Sequence, residues 1–167
     1  MNTNAEKEAF LKLIRDNQRI IFKICNGYCK NKAEREDLSQ EIIYHLWKSA
    51  KNYKPEFKFS TWMYRVALNV AISFYRRKLT RPEIIFPEAY PEVVDHAYIP
   101  DASDDKMHEL QIFIHGLKEL DRAILLLYLE EKSYKEIAEI AGITETNAAT
   151  KISRIKNQLK IYFIQKK

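Results

Sequence analysis

The chain has 167 residues, and its 28 lysines and arginines against 23 acids leave a net charge of +5, a balance open to nucleic-acid binders and to many other proteins. No run approaches about 18 consecutive apolar residues, and the polar start MNTNAEKEAF lacks the apolar stretch of a secretory signal, so a cytoplasmic protein with no direct membrane insertion is expected. The three glycines, Gly27, Gly116 and Gly142, form no phosphate-cradling pattern, which argues against a nucleotide-driven machine.

The amino-terminal block reads as helical throughout. Phe10, Leu13, Ile14, Ile21, Ile24 and Tyr28 follow helical steps and predict one long amphipathic helix that frays near Asn26 and Gly27. Cys25 and Cys29, the only cysteines, stand four apart on it and could hold a metal only with ligands from elsewhere; two reduced thiols packed on a helix face are expected, with no metal and no cofactor. In AEREDLSQEIIYHLWKSAKNY, Leu38, Ile42 and Leu46 form one stripe, while Asp37, Gln40, Glu41 and Tyr44 share an adjoining face with Trp47 at its edge. On the residues alone that acid cluster is as readily a solvated helix face as a binding face. Glu41 and His45 stand at i and i+4, and with no third ligand in view they read as an ordinary helical pair.

The loop NYKPEFKF, kinked at Pro55, then mixes aromatic rings with lysines, a combination that suits single-stranded nucleic acid because bases stack on rings while cations follow the backbone. The competing reading is that the rings seal the end of a helical core. That role is expected for Phe57 and Phe59, and both remain open for Tyr53 and Trp62. The following helix has Ser60 as its expected N-cap, with Trp62, Val66, Val70 and Phe74 inward and Arg65, Asn69, Ser73, Arg76 and Arg77 on another face.

Between Glu83 and Leu110 the composition changes. Eight acids stand against one base, Lys106, and four of the five prolines cluster here, Pro82 directly before the strip and Pro87, Pro91 and Pro100 within it. An acidic, proline-punctuated strip without a sustained apolar period predicts a linker between two basic helical domains, at 1–80 and 106–167, with the linker at 81–105. Domains of roughly 80 and 60 residues bury modest helical cores and hardly a deep catalytic pocket. The expected fold class is all-α, two small helical domains joined by an acidic proline-containing linker.

The last third carries the sharpest signal. Ser133 and Glu136 form a capping-box pair, Ile137, Ala138 and Ala141 share one face, Gly142 can end the helix in a left-handed conformation, and Thr144 can cap the next helix. Ala148, Ile152, Ile155 and Leu159 form the buried stripe of that second helix, opposite Asn147, Thr150, Lys151 and Arg154. Short polar side chains followed one turn later by cations suit a major groove, which predicts a helix-turn-helix DNA reader over a plain helical hairpin.

Taken in series, these stretches resemble the sigma-70 family of RNA polymerase sigma factors, and within it the extracytoplasmic-function group. REDLSQEIIYHLWK resembles region 2.2, FSTWMYRVALNVAISFYRRK is similar to regions 2.3 and 2.4, and LKELDRAILLLYLEEKSYKEIAEIAGITETNAATKISRIKNQL is similar to region 4. The resemblance implies a sigma region 2 helical bundle and a sigma region 4 helix-turn-helix. It implies that Asp37, Gln40, Glu41, Tyr44 and Trp47 dock on the clamp helices of the polymerase largest subunit, with a further contact to the flap. It implies that the loop from Lys51 to Phe59 captures a base flipped from the minus-10 element. Tyr53 would be the stacking wall with Lys58 and Trp62 beside it, Asn69 and Ser73 reading from the helix, and Arg65, Arg76, Arg77 and Lys78 holding the backbone. At the minus-35 element it implies Ser133, Tyr134, Thr144, Thr146, Asn147, Thr150, Lys151 and Arg154. Ala149 stands where the family commonly has a cation, which keeps the docking mode and leaves individual base contacts open. An anti-sigma partner is also implied. Two rival classes are a stand-alone helix-turn-helix transcriptional regulator and a small helical enzyme using Glu36, Glu41 or His45 as acid or base, although these share a helix face with no partner motif.

Overall fold

A computed structural model describes residues 3–80 and 104–167, and among them every regular element is helical. The acidic strip lies outside the described residues apart from its carboxy-terminal end.

The amino-terminal helix is two helices. α1 (Asn4–Asp16) opens on a capping box between Thr3 and Glu6, and α2 (Gln18–Tyr28) follows directly. The break falls at Asn17, whose side-chain amide donates to the Leu13 carbonyl at 2.9 Å, a local bond that competes with helix continuation. The expected fraying near Asn26 and Gly27 does not occur. The Asn26 carbonyl accepts from Gln111, and Gly27 is buried facing Leu126, so contacts from the carboxy-terminal half hold the last turn of α2.

α3 (Lys32–Lys48) is capped by Asn31, whose side chain accepts from the Glu34 amide at 2.9 Å, and it buries Leu38, Ile42 and Leu46 as its periodicity predicts. A single 3-10 turn (Ala50–Asn52) leads into the aromatic loop. α4 (Phe59–Thr80) starts one residue before Ser60, which is therefore not its cap. Its core stripe is also rotated from the expected one. Phe59, Met63, Ala67, Val70 and Ala71 are buried, whereas Trp62, Val66 and Phe74 are half-buried at the flank. α4 packs on α2 and α3 together, and fully buried Ala67 and Ala71 allow close approach while the bulkier rings close the rim.

The second bundle comprises α5 (Asp104–Gly116), α6 (Glu119–Leu129), α7 (Tyr134–Ala141) and α8 (Glu145–Gln165), with α6, α7 and α8 mutually packed. The two bundles share an interface in which α2 meets α5 and α6, and α4 meets α6 and α7. At its centre lies Arg122, wholly buried. Its guanidinium donates to the carbonyls of Gly27 (3.3 Å), His115 (2.7 Å) and Leu117 (3.0 Å) and lies 4.5 Å from the Tyr75 ring centroid and 5.1 Å from that of Tyr28. A buried cation without a carboxylate partner is costly; the His115 and Leu117 carbonyls offset that cost from within its own bundle, and the Gly27 carbonyl with the Tyr28 and Tyr75 rings does so across the interface. Tyr28 adds a hydroxyl bond to the Glu119 carbonyl at 2.7 Å.

Candidate nucleic-acid interface

The aromatic loop folds against the start of α4 and creates a cavity of about 530 Å³. Tyr53, Phe57 and Trp62 supply rings to its lining, Lys54, Lys58 and Arg65 supply cations, and Asn52 and Thr61 supply hydrogen-bonding groups. Tyr53 is half-buried, its ring 5.4 Å from Trp62 and edge-on to Phe59 at 5.2 Å, with its hydroxyl donating to the Phe57 carbonyl at 3.2 Å. These contacts fix the ring without enclosing it. Phe59 seals the core as expected, but Phe57 does not: it is 58% exposed and lines the cavity. Pro55 and the bond from Phe57 N–H to the Lys54 carbonyl turn the loop outward there, a direction that ring chemistry alone could not indicate.

Of the remaining residues expected near this cavity, Asn69 and Ser73 are exposed one and two turns beyond Arg65 on the same face of α4, outside the cavity itself. The three cations at the end of α4 all have acidic partners. Arg76 pairs with Glu119 at 2.9 Å, Arg77 with Glu41, and Lys78 with Glu34. Each cation keeps about half or more of its side chain exposed, so such pairs contribute on the order of 0.2–1 kcal/mol and open readily to a polyanion.

On α3, Asp37, Gln40, Tyr44 and Trp47 form an exposed strip, with Glu41 half-buried beneath Arg77. Ile43, also exposed, adds an apolar residue that the charge pattern did not mark; its exposure becomes visible only once the core stripe of Leu38, Ile42 and Leu46 is placed. The strip is linked to the cavity through one ring. Phe10 of α1 stands 6.3 Å from Trp47 and 5.9 Å from Trp62.

The carboxy-terminal pair of helices follows the expected local chemistry. Ser133 and Glu136 exchange capping bonds of 3.1 and 2.9 Å, Gly142 takes φ of 70°, the Ile143 amide returns to the Ala138 carbonyl, and the Thr144 hydroxyl accepts from the Asn147 amide at 3.1 Å. Tyr134, Thr146, Asn147, Thr150 and Arg154 are exposed on the outer face, while Ala148, Ile152 and Ile155 are buried. Lys151 departs from this arrangement. Its ammonium pairs with Asp121 of α6 at 3.1 Å and is only 23% exposed, so it braces α8 on α6.

Matches to known families cover both bundles: Sigma-70 region 2 over residues 13–80 and Sigma-70, region 4 over residues 108–159. The chain belongs to the sigma-70 family. Its relatives are extracytoplasmic-function sigma factors. It is 27% identical over 166 residues to SigW of Bacillus subtilis, covering 93% of this chain and 89% of that one, and 29% identical over 165 residues to the sigma-E factor of Haemophilus influenzae, covering 92% and 87%. With SigE of Mycolicibacterium smegmatis it shares 26% over 159 residues, covering 90% of this chain and 60% of that longer relative. Two solved structures share the fold. One is CnrH in complex with the cytosolic domain of CnrY (TM-score 0.70, 15% identity, 96% of this chain and 91% of that one). The other is the sigma factor RpoE with the anti-sigma factor NepR from Bartonella quintana (TM-score 0.65, 16% identity, 96% and 98%). The aromatic loop thus belongs to the sigma region 2 bundle and the capped helix pair to sigma region 4, whose Glu136 and Glu139 also line the cavity. No helix among the described residues of this sigma factor is long and apolar enough to cross a membrane, and no group of three or more metal-ligating side chains occurs among them.

Proposed function

We propose that this sigma factor binds core RNA polymerase, directs it to particular promoters and helps open the minus-10 element, while the polymerase supplies the chemistry and no residue of this chain makes or breaks a bond. The observation that carries the reading is the cavity of about 530 Å³ where Tyr53, Phe57 and Trp62 stand beside Lys54, Lys58 and Arg65. Extruding a base from duplex costs a few kcal/mol, and a ring wall contributes roughly 1–3 kcal/mol of stacking per base, so the two nearly balance and the cations tip the outcome. Arg76, Arg77 and Lys78 would exchange their carboxylate partners for the strand backbone, with Asn69 and Ser73 reading adjacent bases.

Asp37, Gln40, Glu41, Tyr44 and Trp47 would dock on the clamp helices of the largest subunit, where a basic partner meets an acidic strip with an apolar edge. The second bundle would contact the flap and place α8 in the major groove at minus-35. There Thr146, Asn147, Thr150 and Arg154 would face the DNA, Ser133, Tyr134 and Thr144 would lie near its backbone, and Lys151 would act from its brace on Asp121. The setting is cytoplasmic, and an anti-sigma partner is expected because related folds carry one. The test is association with purified core polymerase. The wild-type chain should co-elute with core, and Asp37→Lys, a surface change, should remove that association with helical content intact. A chain that ignored core polymerase and bound promoter duplex tightly alone would be a stand-alone regulator instead.

A further inference from the structure

A second cavity, of about 1000 Å³, lies where the turn between α2 and α3 faces α5, and it shares no lining residue with the aromatic one. The turn contributes Lys30, the first turn of α3 contributes Arg35, and α5 contributes His108 and His115. Among the described residues no carboxylate lines it. The amide of Gln111 and Nε2 of His115 (3.0 Å) both bond to the Asn26 carbonyl, which ties α5 to the end of α2 and fixes the spacing of these groups.

Arg35 is half-buried, and the hydrogen bond its guanidinium makes among the described residues is to the Lys30 carbonyl at 3.3 Å. Most N–H donors of that planar fork are left for another acceptor. Arg76, Arg77 and Lys78 each hold a carboxylate, whereas neither Arg35 nor Lys30 holds one among the described residues.

The charges converge on the cavity from several elements. The His115 imidazole is held below its ordinary value by burial first and then by Arg122 of α6, Lys30 and Lys78 of α4, against the pull of the Asn26 carbonyl. The Cys29 thiol beside it feels Lys78, Arg35 and Arg122 as well, with Glu34 opposing them. An anion set between these cations relieves their mutual repulsion.

We propose that this cavity is a binding site for a small phosphorylated ligand, whose pyrophosphoryl group is held by the Arg35 fork, the Lys30 ammonium and the His108 and His115 imidazoles. A planar fork meets two phosphate oxygens at once, and a lysine adds a point charge. Pockets of roughly 300–1,000 Å³ enclose ligands of nucleotide size, so the volume suits more than a single phosphate. No Phe, Tyr or Trp lines it among the described residues, so a nucleic-acid strand lacks the stacking platform that the aromatic cavity offers.

The test is isothermal titration calorimetry of the full chain with inorganic pyrophosphate at low ionic strength and pH 7. The wild type should bind at a single site, and Arg35→Gln and Lys30→Glu should each weaken binding by about tenfold or more, the loss of one charge-assisted contact. Lys30 is exposed, so its replacement leaves the packing intact and keeps the test valid where Arg35→Gln loosens the turn. Lys7→Gln with Lys12→Gln, the same change in net charge as Lys30→Glu but on exposed positions of α1, should leave affinity within about twofold. Ring resonances of His108 and His115 should shift with pyrophosphate, and that of His45, which lies outside the cavity, should not. A single-stranded 12-mer of mixed sequence, at equal phosphate concentration, should not displace the ligand. Undetectable binding, an α1 control that weakens as much as Lys30→Glu, or shifts shared equally by His45 would overturn the proposal. Displacement by the strand would overturn it too, by assigning the cavity to the nucleic-acid backbone.

Discussion

Tyr53 is held by an edge-on Phe59, a tilted Trp62 and a hydroxyl bond to the Phe57 carbonyl, so its ring is presented to the cavity already oriented. Preorganisation of this kind keeps the cost of stacking low. Tyr53→Ala should therefore slow promoter opening by roughly ten- to a hundredfold, the loss of one stacked base, while leaving affinity for core polymerase close to wild type. Equal loss of both would assign Tyr53 to the core. The thiols make a second residue-scale case. Burial pushes Cys25 up to about 12, reinforced by its neighbour Cys29, and burial likewise pushes Cys29 up to about 11, with Glu34 adding to it. Neither forms thiolate near neutrality, so iodoacetamide at pH 8 should leave both unmodified in the native chain and alkylate both in guanidinium, as read by mass spectrometry.

His115 links chemistry to the bundle interface. Burial first, then the charges of Arg122, Lys30 and Lys78, hold its imidazole below the ordinary value, against the opposing pull of the Asn26 carbonyl. The unfolded chain therefore binds the His115 proton more readily than the folded one. The stability that neutral His115 contributes is complete above about pH 6.5 and declines as pH falls below it. His115→Gln should flatten thermal stability between pH 7 and 5.5, and a wild-type profile no steeper than the variant's would contradict this. The aromatic and cationic loop was legible in the sequence because residue type alone suggests stacking. Phe57 was misassigned because its direction depends on the turn at Lys54 to Phe57, and Arg122 was missed because what buries it, the Gly27 carbonyl and the Tyr28 and Tyr75 rings, lies in helices remote along the chain.

Among the elements, those whose ends are written in local chemistry were the most legible. The capping box at Ser133, the left-handed Gly142 and the Thr144 cap each act within four residues, and all three form as expected. The single amphipathic period across α1 and α2 concealed a break because apolar spacing does not register a side-chain amide bonding its own backbone, as Asn17 does. The rotated stripe of α4 has a different origin: α2 and α3 pack on it together with α6 and α7, and the positions they bury most fully are Met63 and the small Ala67 and Ala71, with Trp62 and Phe74 left at the flank. The turn from α6 to α7 holds Glu131 at φ of 59°, a conformation that costs a residue with a Cβ about 1 kcal/mol or more. Glu131→Gly should raise stability by about 1 kcal/mol, whereas Gly142→Ala, at φ of 70° in open space, should lower it by about the same amount. Denaturant midpoints for the pair decide the matter, and changes of the same sign would contradict the backbone account.

At the scale of the whole molecule, two helical bundles were legible because three motifs occur in order on either side of a change in composition. Their docking was not, since it depends on a buried arginine between two tyrosines and on ion pairs such as Lys23 with Glu130 and Arg76 with Glu119. Arg122→Met should therefore lower the unfolding midpoint and separate the transitions of the bundles, while exposed pairs removed singly should change stability by less than about 1 kcal/mol. The most direct test of a polymerase-dependent promoter selector is run-off transcription with purified core polymerase on a set of candidate promoters. The account predicts promoter-dependent transcripts that need both the chain and core, and that fall when Tyr53 or Asp37 is replaced. Failure to obtain such a transcript from any candidate, with the chain alone binding promoter duplex tightly, would contradict it.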